Sequence, residues 1–406
     1  MKARKMHPEA VERFDPRDLP DAFYDDPYPT YRALREHDPV HRCPDGSWFL
    51  TRHADINQIY RHPKLFSSDK KEQFRPLFGD SPLFAHHTAS LVFNDPPLHT
   101  NVRKAIGDAL SPKMVAAMEP SLIALVDRLL EPIDDRKKCD LMTDFAAAIP
   151  IEVIGNLLDI ARADRGPLQR WSNAILGALE FGSDQQVLDD GNAAVIEFVD
   201  FLKDLIAERR RHANGDDIVS RLIRWESPAF KLSEFQIYHQ CIFLLNAGHE
   251  TTTNLIGNGV LALLNHPVEL ERLRRAPALI DGAIEEFLRF ESPVQLGNRT
   301  VTESTEIGEV ALAAGSMLTL CIGAANRDPD AFDDPDHLDI TRQPNAHNAF
   351  GGGIHTCAGL AVARLEAKIG ITRLLARFPV IELAGAAVPA RRARFRGLKS
   401  LPLACR

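Results

Sequence analysis

The chain has 406 residues, of which 45% are hydrophobic and 26% are charged, and its formal net charge is −8. This is ordinary globular composition, and the acidic balance argues against a nucleic-acid-binding protein, which usually has a basic surplus. The six cysteines are scattered without a CxxC pair. That distribution argues against a disulfide framework or a cysteine-rich zinc site and favours a reducing, cytoplasmic compartment.

The pattern of apolar residues shows no targeting segment, no repeat and no linker. The N-terminus lacks the apolar core of a signal peptide, and no stretch approaches the roughly 18 uninterrupted apolar residues that a membrane span needs. We therefore expect one domain over residues 1–406 and no membrane association.

Helical spacing of apolar residues dominates the chain. Predicted helices cover residues 28–36, 54–61, 97–110, 115–130, 157 through the 170s, 193–211, 268–275, 279–290 and 358–378. Residues 66–92, rich in Phe and Pro, are predicted to be irregular. Short strands are predicted at 48–51, 299–301, 307–312 and 317–322. The fold class expected from this order is mainly α with a minor β portion.

The longest helical pattern runs from 233 to about 265. Ser233 followed by Gln236 is a capping-box signal, and Pro267 marks the end. At 1.5 Å per residue this helix spans roughly 50 Å. Its apolar residues occupy nearly every face, so we expect it to pass through the protein core.

The most specific pattern is a ten-residue, glycine-rich segment before the last predicted helix, Phe350-Gly-Gly-Gly-Ile-His-Thr-Cys357-Ala-Gly359. A thiolate beside a helix N-terminus is stabilised by the helix dipole. Glycines let the backbone approach a flat ligand closely, and backbone N–H groups can tune a metal-bound sulfur. An isolated cysteine is usually a small buried residue, but the pattern as a whole indicates a metal-ligating Cys357.

This segment resembles the haem-binding signature Phe-Gly-x-Gly-x-His-x-Cys-x-Gly of the cytochrome P450 superfamily at every specified position. The resemblance is greatest to the soluble bacterial members and extends from about residue 26 to residue 403. It implies the P450 fold, in which a long central helix crosses the haem and the β-sheets are small. It also implies haem b as cofactor, Cys357 as axial ligand, and haem contacts from Phe350, Gly351 and Gly359.

A second motif, Glu286-Phe-Leu-Arg289, is similar to the family's Glu-x-x-Arg. Residues three apart on a helix can form an ion pair, although a solvated surface pair contributes less than about 1 kcal/mol. In the family the pair is structural, and an Arg from a later loop often completes it. His337 occupies that position here, which leaves the third contact open.

The long helix contains Ala247-Gly248-His249-Glu250-Thr251, which resembles the family's oxygen-activation motif. Gly248 weakens the helix locally and allows close approach of its backbone, and a Thr hydroxyl can bond the carbonyl four residues back. The resemblance implies that Thr251 hydrogen-bonds dioxygen, that Glu250 relays protons, and that Ala247 and Gly248 contact haem. The alternative is a buried threonine cluster that only packs against its neighbours.

Four cationic or potentially cationic residues match family ligands of the haem propionates. His99 and Arg103 are four residues apart on a predicted helix and so share a face, Arg299 lies on a predicted strand, and His355 lies in the cysteine segment. Anionic propionates need such partners. A single Arg is usually solvated, so the inference depends on all four together.

The resemblance implies a monooxygenase that inserts one atom of dioxygen, its co-substrate, into a small apolar organic molecule, most often by C–H hydroxylation. We expect no fused reductase domain, so electrons would come from NAD(P)H through a ferredoxin or a similar separate donor. Lys104, Lys113, Arg364 and Lys368 are candidates for its docking patch, against the alternative of ordinary solvated charge. We expect a monomer.

Two alternative functions remain open on the same cofactor. The first is a peroxide-driven peroxygenase, against which the intact Glu250–Thr251 pair argues. The second is a haem-thiolate sensor or carrier without catalysis, which would not need a proton relay.

Pocket residues are expected in the variable segments, where ligand sites are mostly apolar. The apolar candidates are Phe74, Phe78, Leu244, Val294 and Leu296, and the candidates for a polar contact are Arg75, His86, His87 and Asn246. For each residue, core packing or solvent exposure is the simpler interpretation. The sequence identifies no substrate.

Overall fold

A computed structural model of the chain describes residues 11–211, 215, 217–227 and 230–406. Helices make up most of it. They are α1 (Asp21–Asp25), α2 (Tyr28–His37), α3 (His53–Arg61), α4 (Lys71–Phe78), α5 (Pro82–Ala89), α6 (Leu98–Gly107), α7 (Pro112–Arg136), α8 (Ala148–Leu157), α9 (Leu168–Gly177), α10 (Gln185–Arg211), α11 (Ile218–Arg224), α12 (Glu234–Asn265), α13 (Pro267–Arg275), α14 (Ile280–Phe290), α15 (Ile322–Ala325) and α16 (Leu360–Arg377).

The strands are short. They are β1 (Val40–Arg42), β2 (Trp48–Leu50), β3 (Phe66–Ser67), β4 (Lys138–Asp140), β5 (Glu226–Ser227), β6 (Phe230–Lys231), β7 (Leu296–Val301), β8 (Thr305–Ile307), β9 (Val310–Leu312), β10 (Met317–Cys321), β11 (Ile381–Leu383), β12 (Val388–Pro389), β13 (Leu398–Ser400) and β14 (Pro402–Cys405). The predicted fold class, mainly α with small sheets, is confirmed.

The 32-residue helix α12 is the centre of the helical part. Its start is a capping box, because Ser233 Oγ accepts from Gln236 N–H and Gln236 Oε1 accepts from Ser233 N–H. Most of its side chains are buried, and it packs against α8, α9, α10, α14 and α16. The predicted path of this helix through the core is confirmed.

The largest sheet has the order β1-β2-β10-β7-β3. Strand β10 pairs in parallel with β2 and antiparallel with β7, and this register places Leu318 opposite Arg299. Strand β7 follows α14 in the chain. Its residues 296–299 line the cavity that is described below.

The prediction that residues 66–92 are irregular is wrong. The segment contains β3, α4 and α5, and α5 begins where Ser81 Oγ accepts from the N–H of Phe84, with Pro82 in the first turn. Both features are recognised helix-start signals. Both helices are only eight residues long and contain aromatic residues, and α4 also contains Pro76. A helical period of apolar residues is therefore hard to recognise in this segment.

Two predicted elements are divided in the structure. The helix predicted from 157 through the 170s is the end of α8, a 3₁₀ turn at Arg162–Asp164, and α9. Asp159 has a left-handed φ of 51° there, and the Arg165 guanidinium closes the loop by donating to the carbonyl of Ile160. The strand predicted at 307–312 is the β8–β9 hairpin, which turns at Gly308 with φ of 59°.

Within the described ranges, no single helix combines the length and apolar character of a membrane span. Only α6 and α7 taken together, across a bend of 52°, meet that requirement of length and composition.

The Glu286–Arg289 pair lies in the core, and both side chains are fully buried. Arg289 donates from Nε and Nη2 to the two Glu286 oxygens, each at 2.7 Å. The expected third contact is not made by the His337 side chain. Arg342 makes it, with Nε 3.2 Å from Glu286 Oε2, and His337 contributes only its backbone carbonyl, which accepts from Arg289 Nη2.

Candidate functional site

A cavity of about 410 Å³ lies between α12, the cysteine segment, β7 and the α4–α5 region, and its walls are mostly apolar. The residues predicted for the site that line it are Phe74, His99, Arg103, Leu244, Ala247, Gly248, Thr251, Val294, Leu296, Arg299, Phe350, Gly351, His355, Cys357 and Gly359. Elements that are far apart in the sequence therefore meet around one space.

The cysteine segment forms a tight loop whose shape depends on two glycines. Gly351 and Gly353 have left-handed φ values of 66° and 64°, and a Cβ on Gly353 would collide with the carbonyl oxygen of Tyr60. The Cys357 N–H donates to the Phe350 carbonyl at 2.9 Å, which closes the loop. Helix α16 then begins at Leu360, with Gly359 as its N-cap.

The Cys357 thiol is enclosed by protein and faces the cavity. Burial raises its pKa, and this effect is opposed by a hydrogen bond from the Gly359 N–H and by the positive charges of Arg103 and Arg364. A cation bound at the sulfur would favour the thiolate further.

The four predicted cationic residues converge at one side of the cavity. The rings of His99 and His355 lie 4.2 Å apart, and the ring nitrogens of His99 and Nε2 of His355 are buried without a hydrogen-bond partner. Among the described residues, no carboxylate lies within 4.0 Å of the Arg103 or Arg299 guanidinium, and Arg299 instead lies over the Tyr60 ring at 5.4 Å. Arg103 and Arg299 therefore give the group a positive charge that no carboxylate of the described residues pairs with.

Lys70 extends this cationic group and was missed in the sequence. Its side chain is buried and Nζ donates to Thr300 Oγ1 at 3.3 Å. Burial and the nearby Arg299 lower the pKa of Lys70 to about 7. Lys70 and Arg299 are 229 positions apart, and no local pattern around Lys70 distinguishes it from the exposed Lys71.

The chemistry of these residues fits an iron porphyrin with two carboxylates. A thiol on a glycine loop suits the metal, the cations without carboxylate partners suit the propionates, and the apolar walls suit the macrocycle. Burying a polar atom without a hydrogen-bond partner costs free energy. A bound propionate could remove that cost by pairing with the ring nitrogens of His99 and His355.

The oxygen-activation motif lies on the cavity side of α12. Thr251 lines the cavity, and its Oγ1 donates to the Ala247 carbonyl at 2.8 Å, as the sequence predicts. Gly248 also lines the cavity, but its missing side chain has another role. A Cβ there would lie 2.5 Å from Ile154 Cδ1, so the glycine allows α12 to pack closely on α8.

Glu250 does not line the cavity. Its Oε1 accepts a charge-assisted hydrogen bond from Arg392, and its Oε2 is buried without a partner. Burial raises the pKa of Glu250, and the Arg392 charge opposes that shift. Arg392 Nε also lies 3.9 Å from Glu180 Oε1. Arg392 is 142 positions away in the sequence, so no local pattern indicated the contact.

Phe78 and Arg75 do not line the cavity. The Phe78 ring packs behind the wall, 5.3 Å from Phe74 and 5.2 Å from His87, and Arg75 forms a surface ion pair with Asp80. Neither residue contacts a ligand held in the cavity as the structure stands.

Two of the four residues predicted for the docking patch form ion pairs with carboxylates of the protein. Arg364 donates to both oxygens of Glu285 at 2.7 Å, and Lys368 lies 2.9 Å from Asp281. Of these four candidates, Lys104 and Lys113 are exposed and have no carboxylate partner among the described residues. The four residues therefore do not form a continuous positive surface.

Glu366 on α16 is a buried carboxyl group at the cavity wall, and its Oε2 has no partner. Burial raises its pKa well above the usual value of 4.5. The native state thus keeps a proton that the unfolded chain loses, so this contribution to stability is present at low pH and is lost as the pH rises.

We expect Glu366→Gln to weaken the decline in the free energy of unfolding as the pH rises above the usual glutamate pKa of 4.5. Urea unfolding at several pH values measures it, and Glu382→Gln at an exposed site is the control. Glu250 contributes a decline of the same sign, so the variant flattens the profile only in part. An unchanged profile would show that Glu366 is solvated.

The family profile described as Cytochrome P450 matches residues 181–398. The chain is 38% identical over 403 residues to "Cytochrome P450 107B1" of Saccharopolyspora erythraea, covering 94% of this chain and 96% of the relative. It is 39% identical over 367 residues to the vitamin D(3) 25-hydroxylase of Pseudonocardia autotrophica, covering 89% of both chains. A crystal structure of P450BioI with an acyl carrier protein superposes with a TM-score of 0.90, at 34% identity and coverage of 95% and 100%.

The fold, the family profile and these full-length relatives agree with one another. The named relatives include hydroxylases, and a haem cofactor follows from the family. The chain belongs to the cytochrome P450 family and is a P450 monooxygenase.

Proposed function

We propose that the enzyme hydroxylates a C–H bond of a small, mostly apolar organic molecule, with Cys357 as the thiolate ligand of haem b. The observation that carries the proposal is the composition of one cavity. The Cys357 thiol, the Thr251 hydroxyl, and the Arg103 and Arg299 guanidiniums, which have no carboxylate partner among the described residues, face the same apolar space.

When bound, a haem with a thiolate ligand supplies reductive activation of dioxygen, because the thiolate favours O–O cleavage. Cys357 would hold the iron, and the Gly359 N–H would moderate the charge on its sulfur. His99, Arg103, Arg299 and His355, together with Lys70, would bind the propionates. Phe350, Gly351, Gly359, Ala247 and Gly248 would contact the porphyrin. The apolar walls exclude water.

Proton delivery is assigned to Thr251 and Glu250. Thr251 Oγ1 can exchange its bond to the Ala247 carbonyl for one to a ligand in the cavity. Glu250 has one oxygen free, and burial favours its protonated form against the Arg392 charge. Glu250 does not line the cavity, so in this proposal it supplies protons to the Thr251 hydroxyl through an intervening water or a turn of its side chain.

Replacing Thr251 by Ala is expected to leave oxygen consumption largely intact and to lower the product formed per oxygen consumed by at least about tenfold, with a matching rise in hydrogen peroxide. A positioned proton donor contributes roughly a hundredfold or more. Thr253→Ala is the matched control, because Thr253 makes the same bond to the carbonyl four residues back without lining the cavity. Equal coupling in both variants would remove Thr251 from the proton pathway.

Replacing Lys70 by Met is expected to speed haem loss to apomyoglobin by about tenfold, because a charge-assisted hydrogen bond to a propionate is lost. The exposed neighbour Lys71, which pairs with Asp69, supplies the control variant Lys71→Met. If Lys70→Met and wild-type protein lost haem at the same rate, Lys70 would not bind the cofactor.

The substrate class and the electron donor are proposed from the cavity and the relatives. The walls are mostly apolar, one relative is named for vitamin D(3), and the P450BioI structure holds a hexadec-9Z-enoic acid ligated acyl carrier protein. We propose electron transfer from NAD(P)H through a ferredoxin. Because Arg364 and Lys368 are paired, Lys104 and Lys113 are the better docking candidates.

Two measurements test the function. The carbon monoxide difference spectrum of the reduced protein should show the red-shifted Soret band of thiolate ligation, and its absence would refute the proposal. Oxygen uptake that depends on substrate should then require NADPH with ferredoxin and reductase. Faster turnover with hydrogen peroxide than with this electron-transfer chain would instead indicate a peroxygenase.

A further inference from the structure

One part of the cavity wall is polar, where α5 meets α12. We call it the histidine cluster, formed by His86 and His87 on α5 and by His239 and Asn246 on α12. All four side chains are at most 4% exposed. His86, His87 and Asn246 line the cavity, and the surrounding wall is apolar.

The cluster is held together by a short series of contacts. The His86 ring lies 5.1 Å from the His87 ring and 5.6 Å from the His239 ring. His86 Nε2 and Asn246 Nδ2 are 3.2 Å apart. This pairing joins two helices whose residues are 160 positions apart, and it fixes the Asn246 amide against the cavity wall.

Several polar atoms of the cluster have no partner. His86 Nδ1, His87 Nε2 and Asn246 Oδ1 are buried and make no hydrogen bond with the described residues. Leaving such an atom unpaired costs about 1–3 kcal/mol. Unpaired atoms concentrated on one wall of a ligand cavity are a reason to expect that a ligand pairs with them.

The pair of His86 and Asn246 offers one donor and one acceptor whichever way it is protonated. If Asn246 Nδ2 donates to His86 Nε2, the free atoms are the His86 Nδ1–H donor and the Asn246 Oδ1 acceptor. If the amide is reversed, His86 Nδ1 becomes the acceptor and the amide NH₂ becomes the donor. A hydroxyl group can pair with either free atom, and a carbonyl oxygen can pair with whichever atom is the donor.

The histidine cluster is uncharged, which disfavours binding of an ionic ligand group. Burial lowers the pKa of His86 well below its usual value and lowers the pKa of His87 to about 3, so both rings are neutral near pH 7. The cluster itself contains no carboxylate and no permanent cation. Burying a carboxylate or an ammonium group against neutral partners is costly, whereas a neutral hydroxyl or carbonyl needs no counter-charge.

Arg394 is the cavity cation that could instead favour a carboxylate. Its Nε donates to the Leu179 carbonyl at 2.6 Å, and its guanidinium lies over the Phe181 ring at 4.1 Å. Burial lowers the pKa of Arg394, and the charge of Glu180 opposes that shift. Arg394 is therefore the competing anchor that a carboxylate probe must test.

We propose that the histidine cluster binds a neutral hydroxyl or carbonyl group of the substrate through His86 and Asn246. The inference rests on the proposed function and narrows its substrate class to apolar alcohols and ketones. Asn246 precedes Thr251 by five residues, which is about 7.5 Å along a helix axis. The bound group is therefore remote from the carbon that is oxidised.

The test uses the holoenzyme and four probes of the same skeleton, 1-adamantanol, 2-adamantanone, 1-methyladamantane and adamantane-1-carboxylate, with affinities from equilibrium dialysis. We expect the alcohol and the ketone to bind roughly tenfold more tightly than the methyl compound and the carboxylate. His86→Phe and Asn246→Leu keep volume and remove the hydrogen bonds, so each should bring the ratio of alcohol to methyl affinity close to one.

Val92→Ala is the matched control, because Val92 lines the same wall and is apolar. This variant should weaken the binding of all four probes by the same factor. The ratio of alcohol affinity to methyl affinity should therefore stay as in the wild-type protein. Equal affinity of wild-type protein for the alcohol and methyl probes would overturn the proposal. Tight carboxylate binding that disappears in Arg394→Met would also overturn it, in favour of an anionic substrate.

Failure of this inference and failure of the proposed function are separate results. Dialysis measures affinity without turnover or electron transfer, whereas the carbon monoxide spectrum reports ligation by Cys357 and does not depend on the histidine cluster. A thiolate-type spectrum with no preference for the alcohol would refute only the substrate class.

Discussion

Replacing Cys357 by Ser is expected to abolish the thiolate-type Soret band of the reduced carbon monoxide complex and to lower product formation to the uncatalysed level. A serine oxygen does not supply the electron donation on which O–O cleavage depends. The loop should keep its shape, because its closing bond joins the backbone N–H of residue 357 to the Phe350 carbonyl.

The comparison needs a second cysteine that is buried outside the cavity. Cys43 is 3% exposed and packs in the N-terminal region, so Cys43→Ser should retain both the spectrum and the turnover. Absorption spectroscopy and haem content after purification distinguish loss of ligation from loss of haem. A thiolate-type band that persisted in Cys357→Ser would overturn the assignment of the ligand.

Replacing Glu286 by Gln is expected to lower the free energy of unfolding by about 3–5 kcal/mol, or to prevent folding, because two buried guanidiniums lose their carboxylate. Glu286 is fully buried and accepts from Arg289, Arg342, Asn345 and the Asp339 N–H. The network ties α14 to the loop before the cysteine segment, so haem retention should fall together with stability.

Urea unfolding and the haem content of purified protein measure the effect. Glu271→Gln is the control, since the Glu271–Arg275 pair is similarly helical but has exposed fractions of 52% and 78%. Its loss should cost less than about 0.5 kcal/mol. A loss of similar size in both variants would mean that burial does not determine the strength of the Glu286 network.

The elements that could be predicted from sequence are those whose causes are local. The capping box of Ser233 and Gln236 and the stop at Pro267 define α12 within a few residues of each end. The bond from Thr251 to the Ala247 carbonyl follows from spacing within one helix. The glycines around Cys357 prescribe a tight loop before α16, so the candidate ligand and the family could be inferred without coordinates.

The prediction was weakest where short or irregular segments acquire their structure from packing. Helices α4 and α5 are eight residues each, too short for a clear apolar period. The loop after Phe332 contains a contact that the sequence left open. Counting along the motif pointed to His337, whereas Arg342, five residues later, reaches Glu286 because the loop folds back.

The sequence alone determined the reaction class, because the thiolate loop, the Glu-x-x-Arg pair and the Thr251 motif are compact patterns. Tertiary structure decided what surrounds them. Arg392 reaches Glu250 across 142 positions, and His86 meets Asn246 across 160. Such contacts arise when helices pack, and no periodicity within either segment encodes the partner. The cofactor chemistry can therefore be inferred from the sequence, whereas the polar part of the cavity wall is defined only by the fold.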